Sequence, residues 1–347
     1  MSTTLSFTTM NLYNLNLPGR RMYGREGYTQ DAYDRKIAWT RRALQLARAD
    51  VFGFQELWHV DALAEAFDGL FDAEYVLLAP PQADGGRIVC AAAVRKELLV
   101  GEPEWISGFP PAFKLESSER NQDPEIKVAL DAFSRPVLRL AIKPVAEAPA
   151  IQVFVAHLKS KSPTQIRNEH WYEENEELYE PHDDAIGAGL STVRRTAEAT
   201  ALRIILNQHM VGKPTPTVVL GDLNDGHLSN TLAILTGQPK YLTPLVRGGR
   251  DTALYSGQAL QEYRSQRDVY YTYIYQGVHQ SLDHILVSEE FYDMSRMRLW
   301  AFQGMDVYND HLNQPEHKQT DGAIDHGVVR AHFVYKPTSA AREQMRG

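Results

Sequence analysis

Thr217–Asp225 reads TVVLGDLND. Thr217–Leu220 is a short apolar, β-branched run of the kind that forms a buried strand. Gly221 then removes side-chain bulk where the strand leaves its sheet. Asp222, Asn224 and Asp225 follow, polar groups that are costly to bury without partners. Short carboxylates and an amide at a strand edge suit a hard cation or a phosphate-bound water. Taken alone, the stretch is more simply a strand ending in a polar turn, because Gly, Asp and Asn dominate turns. Partners elsewhere in the chain decide the matter.

Upstream, Ile151–Ala156 has strand character and ends at His157, with Lys159 and Lys161 just beyond. Ser162–Gly189 is irregular. It carries an acidic run, Glu173–Glu177, with Trp171, Tyr172 and Tyr179, then His182, Asp183 and Asp184. Such a run is ordinarily a solvated face, but its aromatics suggest a lid that packs down. Leu190–Met210 reads as a helix opened by Ser191 or Thr192. Downstream come a short helix, Leu228–Leu235, and a Gly/Arg turn, Val246–Asp251. Strands follow at Asp268–Tyr275, Ser281–Val287, Met297–Phe302 and Val328–Tyr335. Gln303–Gly327 is a polar loop containing His311, His317, Asp321, Asp325 and His326.

The N-terminal part alternates in the same way. A strand at Leu5–Met10 ends near Asn11, Gly19–Tyr28 is a loop, and Asp31–Ala49 has helical spacing. Val51–Phe54 then runs straight into Gln55 and Glu56, completing strand, helix, strand. Tyr75–Leu78, Arg87–Val94 and Pro136–Ile142 are further strands, with a hairpin turn expected at Asp84–Gly86. Ile106–Ser134 is Pro-, Ser- and charge-rich and reads as a surface excursion. Asn11, Glu56, His157, Asp222, Asn224, Asp283 and the Asp325–His326 pair thus mostly fall at strand ends. Two stacked sheets would bring those ends to one rim.

Composition sets outer limits. The chain has 347 residues, 43% of them hydrophobic, enough for a sizeable core. Its single cysteine, Cys90, lies in an apolar run and is expected to be buried and inert. Neither a secretory leader nor an apolar run of about 18 residues is visible, so a cytoplasmic protein is expected. The formal charge of −8 argues against broad electrostatic wrapping of nucleic acid but leaves room for a local basic cleft. No composition break marks a second domain, so residues 1–347 are read as one unit with an acidic insertion at 162–189.

The motifs together resemble the endonuclease/exonuclease/phosphatase superfamily of DNase I-like proteins. They run from TTMNLYNL (Thr8–Leu15) through GFQEL (Gly53–Leu57), AHLKSK (Ala156–Lys161), LGDLND (Leu220–Asp225) and SLDHILVS (Ser281–Ser288) to AIDHGVV (Ala323–Val329). Each is weak by itself; six in family order are specific. One departs from the pattern: the family's last motif reads Ser-Asp-His-x-Pro-Val, whereas here Ile324 precedes the pair and Gly327-Val328 follows it. The resemblance implies an α/β fold, a four-layer α/β sandwich in which two mixed sheets pack face to face with helices outside.

It also implies roles. Glu56 would be the principal Mg²⁺ ligand, with Mn²⁺ able to substitute, and Asn11 and Asp325 would complete or orient that site. Asp283 would fix the tautomer of His326, the general base. Asp222 and Asn224 would position water and phosphate, and His157 would donate to the phosphoryl oxygens or protonate the leaving group. Lys159 and Lys161 would bind substrate phosphate. His284 faces the other side of its strand from Asp283, which assigns it to structure. The implied activity is a metal-dependent phosphodiesterase, a nuclease on DNA; a sphingomyelinase-like or other small-molecule phosphoesterase is the alternative.

Overall fold

The computed structural model describes residues 3–118, 124–239, 251–265, 270–314 and 320–345. Along the chain the strands are β1 (Thr4–Leu15), β2 (Val51–His59), β3 (Tyr75–Leu78), β4 (Asp84–Arg95), β5 (Leu99–Gly108), β6 (Glu116–Ser117), β7 (Ile126–Lys127) and β8 (Ala132–Ile142). They continue with β9 (Ile151–His157), β10 (Thr217–Asp222), β11 (Tyr255–Ser256), β12 (Tyr273–Tyr275), β13 (Val278–Gln280), β14 (Asp283–Val287), β15 (Trp300–Tyr308) and β16 (Val328–Tyr335). One six-stranded sheet has the order β15-β16-β1-β2-β4-β3 and the other β11-β14-β10-β9-β8-β5. Both are mixed: β1 and β2 pair parallel, as do β9 and β10, and the remaining neighbours pair antiparallel.

The two-residue period of a strand sorts the side chains into layers. Leu5 and Phe7 of β1 meet Val153, Val155, Leu220 and Ile285 of the other sheet in one core. The alternate residues, Met10 and Leu12, face a second core beneath the Gln30–Leu46 helix, which buries Tyr33, Ile37 and Leu44 there. On β9 and β10, Phe154 and Val219 turn instead to a third core under Leu202 and Leu206 of the Asp183–Met210 helix. Helix, sheet, sheet, helix is therefore the layer order. The sheets approach closely at Gly53, where a Cβ would lie 3.0 Å from Leu220 Cβ and 3.1 Å from Val155 Cγ2. Gly221 is still within the sheet, and only glycine fits there, because a Cβ would sit 2.0 Å from the Ala156 carbonyl oxygen. Cys90 is buried between the sheets, and burial pushes its thiol up to about 12.

Several local expectations are corrected. Asp84–Gly86 is not a hairpin turn but the start of β4, where Asp84 pairs with His59 across an irregular register. The connection from β3 lies earlier, tightened by Ala83 N donating to Pro80 O at 2.9 Å. The helix expected from Leu190 begins at Asp183 and runs 28 residues. Ser191 and Thr192 therefore lie inside it: Ser191 Oγ donates to Ser162 O at 2.7 Å, and Thr192 Oγ1 to Ala188 O at 2.9 Å. The expected loop at Gln303–Gly327 starts later than expected, since β15 continues to Tyr308. In the acidic segment, Trp171 stands edge-on to Tyr179 at 4.9 Å, and Tyr172 stacks on Tyr179 at 6.0 Å. Those rings pack on one another. The turn expected at Val246–Asp251 falls almost wholly outside the described residues, as do His317 and the start of the strand expected at Asp268.

Candidate active site

The residues that continue the inter-sheet face past the end of the core form the site. On β1 the odd positions Leu5 and Phe7 lead to Asn11; on β9 Val153 and Val155 lead to His157. On β10 Val218 and Leu220 lead to Asp222, and on β14 Val287 and Ile285 lead back to Asp283. Strand alternation alone thus points four polar side chains into one rim between the sheets. His284 lies on the other face, as expected, with its Nε2 2.9 Å from the Asp225 carbonyl oxygen.

Glu56 reaches the rim by a different route. By alternation it would join Phe52 and Phe54 in the helix-side core. Instead the β2–β4 register shifts between Phe54 and Leu57, and Glu56 takes φ +57°. That conformation is disfavoured for a residue with a Cβ and typically costs about 1–3 kcal/mol. It delivers the carboxylate to Asn11, whose Nδ2 donates to Glu56 Oε1 and to Asp222 Oδ2 at 3.2 Å each. Asn11 Oδ1 is held in turn by Tyr13 N at 2.9 Å.

Asp222 Oδ2 is the point of convergence. His157 Nε2 lies 3.4 Å from it and His326 Nε2 3.8 Å. The other ring nitrogen of His326, Nδ1, is 2.8 Å from Asp283 Oδ2. Asp222, Asp283 and His326 can each place a ligand atom within 4.8 Å of the others. Asn224 caps the turn: its N donates to Asp222 Oδ1 at 3.0 Å, and its Nδ2 to Leu158 O at 3.0 Å, with φ +55°. Asp325 lines the same cavity, about 400 Å³ in volume, together with Glu56, His157, Asp222, Asn224 and His326. The loop of the Asp325–His326 pair is anchored despite its unusual flanks. Ile324 is buried in the helix-side core, and Gly327 N donates to Thr272 O at 2.7 Å.

The two lysines part company. Lys161 lines the cavity, with its Nζ 2.9 Å from Gln280 Oε1 and 3.5 Å from Asp225 Oδ1. Lys159 does not line it; its Nζ stays on its own loop, near Ser160 Oγ and Ser162 O. Of the acidic segment, only Ser162 and Pro163 reach the cavity, so Trp171, Tyr172 and Tyr179 do not cover it. His311 ties down the loop, with its Nε2 2.9 Å from the His326 carbonyl oxygen.

Sequence reasoning missed Arg135 and four tyrosines, Tyr13, Tyr23, Tyr273 and Tyr275, all of which line the cavity. Arg135 donates to Leu158 O at 3.1 Å. It lies inside β8, which begins at Ala132 rather than at Pro136, so the strand-end pattern does not find it. The tyrosines on Asp268–Tyr275 were visible only as strand formers.

Electrostatics follow from burial. Burial raises Glu56 above its ordinary value, partly offset by His326. Burial pushes Asp222 up to about 7, with His326 working against it and Asp283 and Glu56 adding to it. For His326, burial opposes the charged ring, yet Asp283, Asp222 and Asp325 hold it well above its ordinary value. Burial, Arg135 and His326 together hold His157 well below its own. Four carboxylates, Glu56, Asp222, Asp283 and Asp325, therefore crowd one imidazole. Desolvated charge of one sign costs several kcal/mol per ion unless it is compensated. Asp283 Oδ1 and His157 Nδ1 are buried with no hydrogen-bond partner among the described residues. An oxygen-rich set without thiolate and with excess negative charge fits a hard divalent cation.

The family model for endonucleases, exonucleases and phosphatases matches residues 11–305. Among solved structures, the human nocturnin catalytic domain with bound sulfate anion is similar, with a TM-score of 0.56 and 13% identity over 97% of this chain and 96% of that one. A mannosyl-6-phosphatase from Bacteroides thetaiotaomicron gives 0.52 and 13% over 95% and 100%. Truncated TDP2 from Caenorhabditis elegans gives 0.52 and 13% over 95% and 98%. At such identities the likeness is one of fold. No curated protein matches the chain by sequence.

Proposed function

The chain belongs to the endonuclease/exonuclease/phosphatase family, whose members hydrolyse phosphoester bonds, and on that premise we propose that it is a metal-dependent phosphodiesterase acting on nucleic acid, with DNA as the first substrate to test. The observation that carries this reading is the convergence on Asp222 Oδ2. A water there would touch Asp222 and the free Nε2 of His326, whose Nδ1 is fixed by Asp283 at 2.8 Å. With a cation bound, its charge would offset the carboxylates that otherwise keep His326 protonated, leaving Nε2 as a proton acceptor beside the attacking oxygen with the ring tautomer held by Asp283.

Glu56 and Asp325 are the residues that would hold Mg²⁺ or Mn²⁺, with Asn11 orienting Glu56 through its Nδ2. When bound, the cation would polarise the phosphoryl oxygens and offset charge that develops on them. His157, neutral because burial and Arg135 disfavour its charged form, is suited to donate one hydrogen bond to a phosphoryl oxygen rather than to act as an acid. Arg135 and Lys161 supply fixed positive charge at the cavity for the rest of an anionic substrate. Asn224 keeps the Asp222 turn in place.

A second reading, a phosphoesterase for small molecules, is supported by the limited cavity volume and by the name of the similar mannosyl-6-phosphatase. Incubating the protein and Mg²⁺ or Mn²⁺ with plasmid, single strands, abasic duplex, sphingomyelin and sugar phosphates separates the two. Strand cleavage supports the first. Release of phosphate from a sugar phosphate, with every strand left intact, overturns it.

A further inference from the structure

Backbone strain among the described residues is concentrated around one cavity. Non-glycine residues with positive φ include Tyr13, Asn14, Tyr23, Glu56 and Asn224, and all five line it. For Glu56 and Asn224 the strain serves the reacting end. Tyr23 (φ +51°) and Gly24 (φ +75°) are the two central residues of a tight turn whose ends, Met22 and Arg25, exchange backbone hydrogen bonds at 3.1 and 3.0 Å. That turn carries the Tyr23 ring at the mouth of the cavity, with 64% of the residue exposed. Its ring is held edge-on to Trp58 at 5.0 Å and 84°, and Trp58 is fixed by Nε1 donating to Asn14 Oδ1 at 2.9 Å. An aromatic ring braced on Trp58 at the tip of a turn and left largely exposed does not pack a core. It is displayed.

A second element displays a ring into the same cavity. The β12–β13 hairpin turns through Gln276 (φ +48°) and Gly277 (φ +77°), a pattern that matches a tight two-residue turn. Tyr273 and Tyr275 share one face of β12 by alternation, and both line the cavity. Tyr273 lies 4.9 Å from the His326 ring, beside the reacting end, while Tyr275, two residues or about 7 Å further along the strand, is 55% exposed. Lys161 braces the hairpin through Gln280. The rings therefore begin beside the proposed reacting water and continue outward.

We propose that Tyr23 and Tyr275, with Tyr273 at the inner end, form a stacking subsite for an unpaired nucleobase, so that the preferred substrate is a single strand rather than a duplex. This rests on the nucleic-acid reading above. Every base offers a π face, and aromatic side chains bind single strands by stacking on it. In a duplex those faces are covered by neighbouring bases, and recognition by splayed bases requires unpaired strand.

The test uses the full chain with Mg²⁺ and three labelled substrates: a short single strand, the same strand annealed to its complement, and the same strand with abasic spacers flanking the cut. The intact single strand is expected to be cleaved best. Tyr23→Ala and Tyr275→Ala should each raise KM on it about tenfold or more, with kcat little changed and little effect on the spacer strand. Tyr275→Trp should retain the wild-type KM. Equal cleavage of strand and duplex, with unaltered KM in both alanine variants, overturns the subsite while leaving the nucleic-acid reading intact. Hydrolysis of a sugar phosphate with no strand cleaved overturns that reading and the subsite together. Both tyrosines are largely exposed, and circular dichroism confirms that each variant is folded.

Discussion

Asp283 and His326, 43 residues apart in sequence, meet at 2.8 Å between Oδ2 and Nδ1, and both are buried. The contact leaves Nε2 as the only ring nitrogen that can face the cavity. If the two act as one unit, their losses should not add. Asp283→Asn should lower turnover by presenting an amide that favours the wrong tautomer. The double variant with His326→Ala should then be little worse than the more damaging single one. Steady-state kinetics on the four proteins of the cycle check this; losses that multiply would mean that the pair is not a unit.

Removal of metal should abolish activity. Glu56 and Asp325 offer only carboxylate oxygen, which suits Mg²⁺ or Mn²⁺ and not a thiophilic ion. Dialysis against EDTA is expected to stop cleavage, and added Mg²⁺ or Mn²⁺ to restore it. Full activity after exhaustive chelation would remove the metal from the account.

Glu198 joins two parts of the site from behind. Fully buried on the long helix, it accepts from Ser134 N at 2.8 Å and from Ser134 Oγ through one oxygen, and from Lys159 N at 2.7 Å through the other. Ser134 precedes Arg135, and Lys159 follows His157 by two residues. Glu198→Ala would leave two backbone N–H groups unpaired, each costing about 1–3 kcal/mol. A loss of a few kcal/mol should appear in urea denaturation with unchanged slope. A midpoint equal to wild type would show that water replaces the carboxylate at no cost.

Glu290 should make stability depend on pH. Burial raises its carboxyl from the ordinary 4.5 to about 7, with Ser288 pulling against the shift. The folded state therefore keeps a proton that the unfolded chain releases above about 4.5. Stability from this group is greatest at low pH and falls as pH rises towards about 7, by an amount on the order of a few kcal/mol. Glu290→Gln should flatten that slope and raise Tm at pH 8 more than at pH 5. Identical profiles for the two proteins would contradict it.

The rim could be read from sequence because strands alternate. Once Val218 and Leu220 are core, Asp222 must share their face, and the same step places Asn11, His157 and Asp283. Glu56 shows the limit: alternation assigns it to the helix side, and only a register shift with positive φ brings it round, with no Gly or Pro to announce it. The long helix was read seven residues short because Asp183 and Asp184 look like loop, although acidic residues suit a helix N-terminus. Lys159 and Lys161 are two apart and equally basic, so nothing in the sequence separates the one that reaches the cavity from the one that does not. The tyrosines of the cavity were invisible for another reason. Their role depends on which turns carry them to the cavity and on exposure, neither of which composition records.

Water is expected to attack phosphorus beside Nε2 of His326. Single-turnover cleavage of a labelled strand at saturating Mg²⁺, by wild type and by His326→Ala, is the decisive measurement. Positioned proton transfer of this kind contributes about 10²–10⁴-fold, so the variant should be slower by that order, with circular dichroism and metal affinity essentially unchanged. A folded His326→Ala protein that binds metal and cleaves at the wild-type rate would contradict this expectation.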